Sequence, residues 1–148
     1  MNDIELTYSK LSDTYMDITK TYLAIDEGNV EKALLQHTGV YAFFGAVLAY
    51  AKNRSNVIES EYEYEEAKIR EDRRREMQEE GKRATDRALD AYVKTVQDLR
   101  TLKRRVNDAE HRYNLARNIM HALDHQKDML VQISANKRAE VKLVGDIG

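Results

Sequence analysis

The chain has 148 residues, 42 % of them hydrophobic and 34 % charged, with a net charge of −2. It has no cysteine, so disulfide frameworks and thiolate chemistry are excluded, and no proline, so nothing forces a helix to break. The charged fraction lies well above the roughly 25 % of ordinary globular domains, which implies narrow apolar seams and wide solvated faces.

In chain order, the first element is a helix within residues 1–28, from about Asp3 to Ile25. Its apolar residues Ile4, Tyr8, Leu11, Tyr15, Ile18, Tyr22 and Ile25 recur at three- and four-residue spacing and share one stripe. Asn2 or Asp3 caps its start. Asp26-Glu27-Gly28 ends it, with the glycine as a left-handed C-cap.

The second helical region spans residues 29–81, with Asn29 as its cap and Gly81 as its stop. Its seam is Val30, Leu34, His37, Tyr41, Phe44, Leu48 and Ala51, continued by Ile58, Tyr62 and Ile69. Gly39 and Gly45 permit close approach of a partner backbone, and Asn53–Asn56 (NRSN) is a candidate kink or break. The third region, residues 82–140, reads as one long helix from a Thr85 cap to about Asn136. Its seam is Ala88, Tyr92, Leu99, Leu102, Val106, Ala109, Tyr113, Ala116, Met120, Leu123 and Leu130. Residues 141–148 read as a frayed tail.

These stripes, held over several heptads, predict an all-α protein: long helices in a hairpin or bundle with coiled-coil-like packing. They argue against most enzyme scaffolds. Long helices with narrow seams bury little surface alone, so a homo-oligomer is expected. The expected contact is an open edge of the C-terminal seam at Leu99, Leu102, Val106, Leu123 and Leu130.

The N-terminus lacks the basic and apolar regions of a secretory signal. The most apolar run, Val40–Ala51, is shorter than the roughly 20 residues of a membrane span. No membrane association is therefore expected, and the absence of cysteine fits a reducing compartment.

The charge is uneven. Residues 1–66 carry 5 basic and 12 acidic residues, 67–81 carry 5 of each, 82–117 carry 10 and 5, and 118–148 carry 4 of each. The acidic front and the basic stretch can complement each other between subunits, or the basic stretch can face a polyanion.

Two basic blocks are candidates. The first holds Lys68, Arg70, Arg73, Arg74 and Arg75, followed by Lys82 and Arg83. Arginine forks match phosphate oxygens, but the interleaved Glu66, Glu71, Asp72, Glu76, Glu79 and Glu80 also suit a solvated helix laced by i,i+4 ion pairs. The second holds Arg100, Lys103, Arg104, Arg105 and Arg112, with Arg100, Lys103 and Arg104 on one helical face. It reads either as a solvated or intersubunit face or as a polyanion contact.

Of the nine tyrosines, Tyr64 lies outside the seam frame and is the candidate for stacking on a base. His121, Asp124, His125 and Asp128 have a spacing that can hold a metal, but no second ligand cluster accompanies them, so no metal or other cofactor is expected. No phosphate loop, dinucleotide fingerprint or nucleophile elbow occurs. The expectation is a non-enzymatic protein.

Two segments resemble the UvsY-type recombination mediators of tailed phages, and together they cover about two thirds of the chain. One runs from Gln36 to Met77 and leads into EYEYEEAKIREDRRREM. The other is residues 86–140, with Asp90 and Tyr92, then Val106, Ala109 and Glu110, then Ile119, Ala122 and Leu123, then Ile133 and Arg138.

The resemblance implies a small non-catalytic helical protein that binds single-stranded DNA. Such a protein helps load a recombinase onto DNA coated by single-stranded-DNA-binding protein, in the cytoplasm of an infected bacterial host. It also implies assembly into a ring through the C-terminal helices. The family's basic Lys-x-Arg motif falls on Lys68 and Arg70, with Glu71 where the family carries leucine. Single-stranded DNA is then expected on Lys68, Arg70, Arg73 and Arg74, with Tyr64 stacking. The alternative is a structural or scaffolding coiled-coil protein of a phage particle or assembly pathway, which needs only the seams and the solvated charge.

Overall fold

The structure is a computed structural model and describes residues 1–147. Its order is α1 (Asp3–Tyr22), a short 3-10 turn (Glu27–Asn29), α2 (Val30–Glu79), α3 (Asp86–Val93) and α4 (Gln97–Ile147). No strand occurs among the described residues, so the expectation of an all-α chain holds.

The helix starts follow from local chemistry. A helix leaves its first N–H groups without intrahelical partners. At α1 the Asn2 side chain accepts from the Glu5 N–H at 2.8 Å, and the Glu5 carboxylate accepts from the Asn2 N–H at 3.1 Å, closing a capping box. Thr85 caps α3 by accepting from the Ala88 N–H at 3.2 Å. Asn29 accepts from the Lys32 N–H at 3.4 Å at the head of α2. After α2 the chain turns at Gly81, whose φ of +72° suits a residue without a Cβ.

The chain forms two compact units, divided within α2 and α4. The first comprises residues 1–50 and 112–148. Here α1 buries Tyr8, Leu11 and Ile18, α2 buries Val30, Phe44 and Val47, and α4 buries Ala116, Ile119, Met120, Leu123 and Leu130. Tyr8 meets Tyr50 edge-on at 5.1 Å between ring centroids, and Tyr22 meets Phe44 at 5.5 Å.

Two buried polar groups fix the packing of this unit. His37 makes a hydrogen bond from Nε2 to the Leu123 carbonyl at 2.8 Å. The buried Gln126 amide donates to the Tyr22 carbonyl at 2.9 Å and to that of Ala24 at 3.4 Å, satisfying acceptors that the end of α1 leaves open. Lys137 donates to the Glu27 carbonyl and ties the 3-10 turn to α4.

The second unit comprises residues 51–111. Ile58 of α2 packs with Val106 and Ala109 of α4, and Tyr62 lies against them. Leu89 and Val93 of α3, Leu99 and Leu102 of α4, and Met77 of α2 are also buried.

Several expectations are corrected. The region 82–140 is two helices, because α3 stops at Val93. In the turn that follows, the Thr95 hydroxyl donates to the Tyr92 carbonyl at 2.7 Å and its N–H to the same carbonyl at 2.9 Å. A threonine bonding back to the main chain, next to a second β-branched residue, Val96, competes with helix continuation.

The NRSN segment does not break the helix: α2 runs through it, with Ala51 and Ile58 buried on either side. Tertiary burial overrides the weak helix propensity of Asn and Ser. Gly28 is not left-handed, since Gly81 alone has positive φ among the described residues, and α1 ends earlier than expected, at Tyr22. Gly39 has nothing within 4 Å of an added Cβ, and Gly45 meets only the Met120 side chain at 3.8 Å, so within this chain neither meets a neighbouring backbone. The segment 141–147 is helical and exposed; Gly148 lies outside the described residues.

The largest correction concerns assembly. Leu99, Leu102, Val106, Leu123 and Leu130 are all at most 9 % exposed. The chain's own helices cover the seam that was expected to stay open for a second subunit.

The two kinds of glycine give opposite outcomes. Gly39→Ala, in open space inside α2, should stabilise the fold by about 0.5–1 kcal/mol. Gly81→Ala should destabilise it by about 1–2 kcal/mol, because the left-handed backbone disfavours a Cβ. Urea unfolding followed by circular dichroism measures both signs.

Candidate nucleic-acid interface

The two basic blocks differ in how their charge is used. On α2, Arg70 donates from Nη2 to Glu66 at 3.1 Å and to Asp90 of α3 at 2.6 Å. Arg73 pairs with Glu76 at 3.1 Å and lies 4.7 Å from the centroid of the Tyr92 ring. Arg74 pairs with Glu71 at 2.8 Å, and Arg75 reaches the same carboxylate at 3.6 Å. The hydrogen bond it donates to Asp90 is the main cause that holds the Arg70 guanidinium above its already high ordinary pKa.

Partly exposed pairs of this kind stabilise by about 0–1 kcal/mol each, so they exchange partners easily. Their consequence is electrostatic: five cations stand among five anions over residues 67–81, and the block has no net charge to offer. Of the residues expected to hold DNA, Arg70, Arg73 and Arg74 are therefore ion-paired. Lys68 and Tyr64 are exposed, Tyr64 at 68 %, and their four-residue spacing puts them on one face of α2.

The α4 block is different. Among the described residues, Lys94, Arg100, Lys103, Arg104 and Arg105 have no carboxylate at ion-pair distance. All five are exposed. The stop after α3 places Lys94 in the turn that leads into α4. There Lys94, Arg100 and Lys103 line a cleft of about 180 Å³ together with Tyr62, Val93 and Leu99. The Lys103 ammonium sits 5.1 Å from the centroid of the Tyr62 ring, which steadies it without neutralising it. Arg104 follows Arg100 by one turn on the same face. Arg105 faces a separate cleft with Glu65, Ile69 and Asp98.

Burial raises the Tyr62 phenol pKa above 10, the Glu66 charge adds to this, and Arg70 opposes it. Tyr62 thus stays a neutral ring beneath Lys103 at physiological pH. Lys94 could not be ranked from sequence, because its position depends on a helix break that the apolar spacing does not reveal.

The candidate metal cluster does not gather. His121, Asp124, His125 and Asp128 are exposed on α4, and no group of three or more His, Cys, Asp or Glu residues suited to a metal occurs among the described residues. Asp124 instead accepts a hydrogen bond from Tyr41. That bond first, and the carboxylate charge second, raise the Tyr41 pKa above its ordinary 10.

The region Glu27–Glu79 contains a window long and apolar enough to cross a membrane by length and composition alone, with mean hydropathy 1.2. No protein-family model, curated protein or solved structure matches the chain.

The Tyr41–Asp124 pair can be tested directly. The carboxylate favours the protonated phenol, so Asp124→Asn should move the Tyr41 midpoint down towards 10. A ¹³C NMR titration of the tyrosine Cζ atoms reads this, and an unmoved Tyr41 midpoint contradicts the assignment.

Proposed function

We propose that this protein is a non-catalytic binder of single-stranded DNA that holds the phosphate backbone along the first turns of α4. Within that reading it acts as a recombination mediator of the kind the sequence resembles, helping a recombinase onto DNA covered by single-stranded-DNA-binding protein. One observation carries the proposal: Lys94, Arg100, Lys103 and Arg104 form a row of cations without carboxylate partners. Cations already paired gain little from a phosphate, because one ion pair replaces another. Unpaired cations release condensed counterions when they meet a strand, and that release drives association. Contacts of this kind position a backbone and carry no base preference.

Assembly belongs to the same proposal but moves to a different surface. The last turns of α4 expose Val141, Leu143, Val144 and Ile147, and α2 exposes Leu35. These residues, and not the buried seam, belong to the apolar surface open to further copies. Several copies around one strand multiply weak phosphate contacts through effective concentration. The scaffolding alternative draws on the same exposed residues and needs no DNA.

The test is a titration of labelled oligo(dT) at several salt concentrations. Arg100→Ala/Arg104→Ala should weaken binding roughly tenfold at low salt and flatten the salt slope by about 1.4, or about 0.7 per lost contact. Lys68→Ala should have the smaller effect. If wild type fails to retain the oligonucleotide at low salt, the DNA reading fails and the scaffolding reading replaces it.

A further inference from the structure

The paired arginines of α2 raise a separate question, which rests on the reading of the protein as a single-strand binder. Arg70 and Arg73 have the chemistry for phosphate, and α3 adds a contact to each beyond the carboxylates of α2 itself, Glu66 for Arg70 and Glu76 for Arg73. Asp90 offers Arg70 a carboxylate oxygen at 2.6 Å, and Tyr92 offers Arg73 an aromatic face at 4.7 Å. These are the two kinds of group a nucleotide would present to the same side chains, an anionic oxygen and a π-face.

The helix that supplies them is lightly held. It has eight residues, too few to be stable without packing. Only Leu89 and Val93 anchor it by burial. It lies between the turn at Gly81 and the turn at Thr95, and the Asp90 side chain is 56 % exposed, so a competing anion has access to the bond.

We propose that α3 is a strap that imitates a nucleotide, withholding Arg70 and Arg73 from a phosphate backbone until a strand bound beside it on α4 displaces it. Lys94 ends the strap and lines the α4 cleft, so the strand's first contact lies at the strap's own hinge. A ligand that gains contacts only in the open state shifts the population towards that state. The resting protein therefore binds with the α4 row alone, and lifting α3 leaves Arg70 and Arg73 to the partly exposed carboxylates of Glu66 and Glu76, with which a phosphate can compete. Segments that move on binding come from the weakly packed parts of a fold, and α3 is such a segment.

The experiment combines oligo(dT) binding, over about 50–200 mM salt, with hydrogen exchange. Leu89→Ala loosens α3 without changing charge. It should steepen the salt slope by up to about 1.4, the limit for two added contacts at about 0.7 each, and tighten binding. The gain should vanish when Arg70→Ala and Arg73→Ala are added. Asp90→Asn, which leaves the buried residues intact, should act in the same direction and serves if Leu89→Ala loses helix content. A gain from Asp90→Asn that persists without the two arginines is a general charge effect and counts against the strap.

In the wild type, amides of residues 86–93 should exchange faster when oligo(dT) is bound. Slower exchange there would make α3 part of the binding surface and overturn the proposal. Retention of the oligonucleotide with an unchanged slope in Leu89→Ala overturns the strap alone. No retention by the wild type overturns the DNA reading on which it rests.

Discussion

The structure depends on one constraint: the apolar stripe of α4 is covered by the chain itself. From Leu99 to Leu130 it buries Leu102, Val106, Ala109, Ala116, Met120 and Leu123 against the chain's other helices. A fully buried leucine or methionine contributes about 1.5–3 kcal/mol relative to exposure, so this row is the main stabilising element of a chain with so much charge. Its internal burial dictates what is left outside. Seam positions are spent on folding, and the flanking positions, where the cations lie, face solvent.

The difference between the two basic blocks follows from the spacing of opposite charges along the helices. On α2 the carboxylates sit three or four residues from the arginines, and Arg73–Glu76, Arg74–Glu71 and Arg70–Glu66 close within the helix. On α4, Arg100 and Lys103 have no acidic residue three or four positions away, and Arg104 has only Asp108. Both blocks look basic in sequence, yet only the α4 block carries charge outward. The short α3 joins them: its Asp90 and Tyr92 complete the pairing of the α2 arginines, and the turn after it delivers Lys94 to the head of α4.

Much of the fold was legible in the sequence because its signals are local. Asn2 with Glu5, Thr85 before Asp86, and Gly81 each act within a few residues, and the apolar spacing of α1, α2 and α4 needs only helical geometry. The errors lie where distant contacts decide. NRSN stays helical because Ala51 and Ile58 are buried around it, and the seam of α4 is closed by helices that the spacing alone cannot place. His37 reads as one more seam position and Gln126 lies outside the apolar series, yet each bonds a carbonyl far along the chain. At the candidate site, both blocks were visible as composition. The second partner of Arg70, Asp90, lies twenty residues away on another helix and could not be read from its own segment.

The central claim is that the unpaired row on α4, and not the paired block on α2, meets the polyanion. Lysine-selective acetylation of the native protein, with and without saturating oligo(dT), tests it at single residues by mass spectrometry. The account predicts that Lys94 and Lys103 become protected while Lys10, Lys20 and Lys52 do not change. Protection confined to Lys68 and Lys82, or equal reactivity at every lysine in the presence of a retained strand, would contradict it.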